Sequence, residues 1–110
     1  MKIETPLKLG QGANAREHHM ARARRVKKER NAVGWLLRQF DKPATPCTVT
    51  ITRIAPGQGL DPADNLPHAC KAVVDAFAEW IGINDRSDEL VRYQFRNERG
   101  EWGLRIEVTS

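Results

Sequence analysis

The clearest pattern of apolar positions along this chain is helical. Leu66, Cys70, Val73, Phe77 and Ile81 recur every three or four residues, with Ala69 and Val74 beside them, which predicts a helix over about 66–81. Asp64 or Asn65 is placed to cap it, Pro67 falls in the first turn, where a missing N–H costs nothing, and Gly82 stops it. Asp64, His68, Lys71 and Asp75, spaced four, three and four apart, line the opposite face. A longer helix is expected over about 15–40, capped by Asn14 with Glu17 three residues on. Its stripe is Val26, Val33, Leu37 and Phe40, extended by Ala23, and Pro43 sets its end near Asp41–Lys42.

Elsewhere the period is two. Cys47, Val49 and Ile51 alternate with Thr48, Thr50 and Thr52 in a β-branched run over 47–54. Val91, Tyr93 and Phe95 alternate with Arg92, Gln94 and Arg96 over 89–96, a half-buried strand with a cationic face. Trp102, Leu104, Ile106 and Val108 alternate in turn, and the Asn97–Gly100 turn between the last two runs predicts a hairpin. Between the first strand and its helix, APGQGLDPADN is turn chemistry, with two prolines and two glycines in eleven residues. Residues 1–13 alternate weakly, and Pro6 makes them an arm or a short edge strand. Strand 47–54, helix 66–81 and strand 89–96 form a βαβ unit with parallel strands, to which the hairpin adds an antiparallel one. The expected fold is α+β: a single domain, 1–110, with a mixed sheet of three to four strands and two main helices.

Composition changes this picture little. A chain of 110 residues holds one modest core, which packing against a copy of itself would reinforce. No apolar run approaches the roughly 18 residues that span a bilayer, and MKIETPLKLG lacks the apolar region of a signal peptide, so a cytoplasmic protein with no membrane partner is expected. Cys47 and Cys70 lie on separate elements without metal-site spacing and read as reduced core residues.

Charge changes it more. Residues 1–46 hold eleven Lys/Arg against four Asp/Glu, and residues 47–110 hold seven against ten. Arg16, Arg22, Arg24, Arg25, Lys27, Lys28 and Arg30 fall within fifteen residues of the long helix. Such a run is either a solvated face or a surface that tracks phosphates, and its density favours nucleic acid as partner. His18 and His19 are weak metal ligands, because adjacent helical positions point about 100° apart. The acidic residues gather at the ends of the second helix, Asp61 and Asp64 before it and Asp85 and Asp88 after it. They are metal ligands facing a phosphate, or caps and loop charges. A sixteen-residue helix is about 24 Å long, so a simple crossover holds the two pairs apart unless the second loop folds back or a dimer joins them.

The run LDPADNL, then KAVVDA, then a glycine followed by an acidic loop in GINDRSDE, resembles the RusA-type endodeoxyribonucleases, Holliday junction resolvases of phages and prophages. The resemblance covers about residues 47–106, and REHHMARARRVKKERNAVGWLL is similar to the basic first helix of phage members. It implies a homodimeric, Mg²⁺-dependent enzyme, with Mn²⁺ as a substitute and no small-molecule cofactor, that cuts branched DNA in recombination and repair. Carried over by motif, Asp64 and Asp85 are metal ligands and catalytic, Asp61 is a further ligand, and Lys71 assists at the phosphate. His68, Asp75 and Asp88 are accessory. Arg22, Arg24, Arg25, Lys27, Lys28, Arg92 and Arg96 hold the DNA. The chain departs from the family pattern in three places: Asp61–Pro62–Ala63–Asp64 is one residue longer than the usual DxD, His68 stands nearer than Lys71 to the lysine position, and Asn84 replaces a frequent aspartate. The rival expectation is a DNA-binding phage protein that keeps the fold without the chemistry.

Overall fold

A computed structural model describes residues 1–10, 19–84 and 86–110. Its elements are β1 (Lys2–Thr5), α1 (His19–Leu37), β2 (Cys47–Ala55), α2 (Asn65–Ala69), α3 (Lys71–Ile81), β3 (Val91–Arg99) and β4 (Gly103–Thr109). The fold is α+β, with a four-stranded mixed sheet in the order β1-β4-β2-β3. The N-terminal segment supplies a short edge strand, antiparallel to β4.

The βαβ unit forms as the periodicities predict: β2 and β3 run parallel from Cys47↔Val91 to Ala55↔Arg99. The hairpin does not form. β4 pairs antiparallel with the other edge of β2, so β2 separates the two strands that the turn connects. The connection passes over the end of β2, where Gly100 N–H donates to the Ala55 carbonyl at 3.1 Å and Gly103 begins β4 opposite Ile54. β2 has no fully exposed residue. A hairpin would leave one edge of this buried strand without partners, whereas insertion between β3 and β4 satisfies both.

One face of the sheet carries the helices. Val49, Ile51, Val91, Leu104 and Ile106 are buried there with Leu66, Cys70, Val73 and Phe77. The Phe77 ring stands edge-on to Tyr93 at 6.1 Å and to Trp80 at 5.4 Å, which fixes α3 over β3. The opposite face is polar and uncovered. Arg105 spans it, donating from Nη1 and Nη2 to Glu98 at 2.9 and 3.0 Å and from Nε to Glu4 at 3.0 Å. These bonds hold both carboxyls below their ordinary pKa range.

The expected single helix over 66–81 is two. Cys70 (φ −92°, ψ 1°) ends α2 and begins α3, and Val73 N–H reaches the Cys70 carbonyl at 3.0 Å in a tightened turn. The apolar stripe survives this break, since Leu66, Cys70, Val73 and Phe77 all stay buried. Gly82 takes the left-handed conformation expected of it (φ 77°).

The first helix ends earlier than Pro43 alone would require. Gln39 and Phe40 N–H bond back three residues to Leu36 and Leu37, and the Gln39 side chain donates to the Trp35 carbonyl at 3.2 Å, satisfying an otherwise orphaned acceptor. Phe40 therefore leaves the stripe and is exposed, and Ala23 is exposed as well. The buried stripe is Glu29, Val33 and Leu37. The Asn14 and Glu17 capping box, Arg16 and His18 lie outside the described residues.

Candidate active site

The end of β2 opens into the loop that carries Asp61 and Asp64. This loop is pinned to the sheet by Asn97 of β3, whose Oδ1 accepts Leu60 N–H at 3.1 Å and whose Nδ2 donates to the Leu60 carbonyl at 2.8 Å. Gly59 makes the approach possible, because a Cβ there would lie 2.6 Å from Asn97 Cγ.

Beyond Leu60 the two aspartates behave differently. Asp61 makes the turn: its Oδ1 accepts Ala63 N–H at 3.3 Å and its carbonyl accepts Leu66 N–H at 2.9 Å. Asp64 occupies the N-cap position of α2, but its side chain makes no cap hydrogen bond. The carboxylate is exposed and lies 3.3 Å from His68 Nε2. The reading of Asp64 as a side-chain cap therefore fails, while the turn role of Asp61 is met.

The polar stripe is present and is organised as two pairs. Asp64 meets His68, and Lys71 Nζ lies 3.0 Å from Asp75 Oδ1. Asp75 is half-buried and faces α1 beside Arg30, which in turn holds Glu79 at 2.6 Å. Asp85 lies outside the described residues. Asp88 is exposed beside Cys47, Thr48 and Arg92, at the start of β3. Since β2 and β3 are parallel over nine pairs, Asp88 lies at the end of the sheet opposite the one where Asn97 anchors the loop of Asp61 and Asp64. The structure does not bring Asp88 to the first pair.

Among the described residues, no three His, Cys, Asp or Glu side chains group closely enough to hold a metal ion. Asp61 and Asp64 are two exposed carboxylates on one loop, hard oxygen donors of the kind that Mg²⁺ takes alongside waters; Asp61 Oδ1 accepts the Ala63 amide and Asp64 Oδ1 lies against His68.

The expected DNA-binding residues divide between two faces. Arg24, Lys27 and Lys28 are exposed on α1, and Arg22 is half-buried there. Arg92 and Arg96 are exposed on the uncovered face of the sheet, beside Thr48 and Thr52 of β2. Arg25 is engaged inside the protein: Nη1 lies 3.1 Å from Glu29 Oε2. Glu29 Oε2 also accepts Gly10 N–H at 3.0 Å, tying the segment after β1 to α1.

Two buried groups were not anticipated. Glu29 stands three residues after Val26 and four before Val33, so it lies on the helical stripe, and that position was a usable signal. Arg53 alternates in phase with Val49 and Ile51 and is 3% exposed. Among the described residues its Nε has no hydrogen-bond partner, its guanidinium lies over the Trp102 ring at 5.2 Å, and burial pushes its pKa down. Burial also raises the neighbouring Cys70 thiol to about 12, making it an inert core residue.

Compared with known proteins, the chain matches no family model and no curated protein sequence. Among the described residues, no helix is long and apolar enough to cross a membrane.

Proposed function

We propose that the chain is a Mg²⁺-dependent, structure-specific endodeoxyribonuclease that cuts phosphodiester bonds in branched DNA, four-way junctions above all. It acts as a cytoplasmic homodimer in phage or prophage recombination and repair. The observation that supports this most directly is the exposed Asp64 carboxylate: at the start of α2, where a cap is expected, it closes no cap hydrogen bond and is held instead only by His68 at 3.3 Å among the described residues.

In this reading Asp61, Asp64 and Asp85 hold the ion, for which Mn²⁺ substitutes. The chemistry such an ion would supply there is Lewis acidity toward a phosphate and its attacking water. Lys71 exchanges Asp75 for the scissile phosphate and stabilises the charge that builds up on it. His68 orients Asp64. Arg22, Arg24, Lys27 and Lys28 on one face and Arg92 and Arg96 on the other contact the arms through their phosphates. A two-fold dimer presents two such sites to a substrate that is nicked on two strands.

A second reading, a DNA-binding protein without the chemistry, draws on the separation of Asp88 from Asp61 and Asp64 and on the extra residue in the Asp61–Asp64 loop. Incubation of the protein with a labelled synthetic four-way junction, with Mg²⁺ or with EDTA, separates the two. Symmetric nicks that require metal support the enzyme, tight binding without nicks supports the second reading, and no binding at moderate salt excludes both.

A further inference from the structure

A hollow of about 760 Å³ lies between the second half of α1 and the end of α3, away from the acidic loop. Three of the chain's seven aromatic residues line it: Trp35, Phe40 and Trp80. Trp35 is 63% exposed and Phe40 41% exposed, while Trp80 is held edge-on by Phe77. Gly34 lies at the same groove in the interior of α1, and a Cβ there would meet nothing within 4 Å. Glycine inside a helix weakens it relative to alanine, and no packing within the chain requires it. Its absent side chain leaves the helix backbone open to something that comes close from outside.

We propose that this groove binds single-stranded DNA, with bases stacked on Trp35, Phe40 and Trp80 and phosphates on Arg38 and Lys42. Charge decides the occupant. The charged residues that line the groove are Arg30, Arg38 and Lys42 against Asp41 and Glu79, and the exposed Arg24, Lys27 and Lys28 continue the positive charge along α1. Glu79 and Arg30 are paired at 2.6 Å, which leaves Arg38 and Lys42 against Asp41 in the groove. A second copy docked here about a two-fold axis would bring two such cationic helices face to face, which costs free energy, whereas a polyanion neutralises them. Exposed aromatics beside a cationic track are the combination by which proteins hold unpaired strands without reading sequence. The inference rests on the proposal that the partner is DNA, but not on cutting. A branched substrate has bases near its crossover that can unstack, and this groove would hold them.

The test is fluorescence anisotropy with a short labelled oligothymidine and with a duplex of equal length, for the full chain and for Trp35→Ala and Trp35→Phe. Trp35 is exposed, so neither variant disturbs the core. Trp35→Ala should weaken oligothymidine binding about tenfold, Trp35→Phe should keep most of it, and duplex binding should change less than about twofold. Sedimentation should show the same oligomeric state for all three. Unchanged oligothymidine affinity overturns the inference, as does equal loss for strand and duplex. A changed oligomeric state with strand binding intact would assign the groove to a second copy instead, and tighter binding of oligouridine would overturn the assignment to DNA. A chain that never cuts a junction yet shows the Trp35 effect leaves this inference standing and removes only the nuclease.

Discussion

The carboxylate of Asp64 lies 3.3 Å from Nε2 of His68, one turn along, and closes no hydrogen bond to the helix start that it precedes. A carboxylate in this position ordinarily takes an N–H from the first turn. Here the first turn is served differently: the Asp61 carbonyl takes Leu66 N–H, Pro67 has no N–H to offer, and the Asp64 carbonyl takes His68 N–H at 3.3 Å. These bonds do not use the Asp64 side chain, which stays exposed beside His68 and within reach of a ligand from solvent.

Glu29 is the polar group on which the N-terminal segment depends. Its side chain is buried and accepts both Arg25 and the Gly10 amide. Glu29→Ala should lower stability by about 1–3 kcal/mol, because Gly10 N–H loses its acceptor and the half-buried Arg25 loses its Glu29 ion pair. Glu29→Gln, which keeps an acceptor for Gly10, should lose less. Urea midpoints of the two variants measure this, and equal losses would show that the Gly10 bond contributes nothing.

Arg53 should be dispensable for stability. A buried guanidinium whose Nε has no acceptor among the described residues carries a desolvation cost that the Trp102 ring offsets only in part. Arg53→Met keeps the volume, loses the contact with Trp102 and removes the charge. The expected result in urea unfolding is a gain of about 1–3 kcal/mol. A loss of more than about 1 kcal/mol would show that the stacking on Trp102 outweighs the burial of charge.

The uncovered sheet face predicts an acid response. Arg105 hydrogen-bonds Glu98 and Glu4 and depresses both carboxyls from the ordinary value of 4.5. A depressed folded pKa adds stability above the unfolded value and loses it as pH falls through the folded one. The stability difference between wild type and Arg105→Met should therefore be constant at neutral pH and shrink below about pH 4.5. A difference that stays the same down to about pH 3 would mean that the network contributes no linked protonation.

The elements of this fold were legible wherever burial followed a single period. Leu66, Cys70, Val73 and Phe77 announced their helix, Val49 and Ile51 their strand, and Gly82 its stop. What the periods do not carry is which edge of β2 a strand will take: Leu104, Ile106 and Val108 alternate in the same way whether β4 pairs with β3 or with β2. The order of strands is decided by the need of the buried β2 for partners on both sides, a tertiary property. The candidate site was legible only as residue types. Asp61 and Asp64 fall on one loop as expected, and Lys71 lies on the expected face, but Asp88 is carried to the far end by the same parallel pairing that the βαβ pattern predicts. Arg25, one of a cationic run, is turned inward by a glutamate four residues on. Charge counts could not distinguish it from Arg24.

Asp64 is the residue on which the proposed cleavage most directly depends. With a labelled four-way junction and Mg²⁺, Asp64→Asn should abolish nicking while leaving junction affinity equal to or higher than wild type, because an unneutralised carboxylate repels phosphate. EDTA should reduce wild type to the level of the variant. If Asp64→Asn nicks the junction at the wild-type rate, Asp64 holds no metal, and the proposed activity does not reside at this loop.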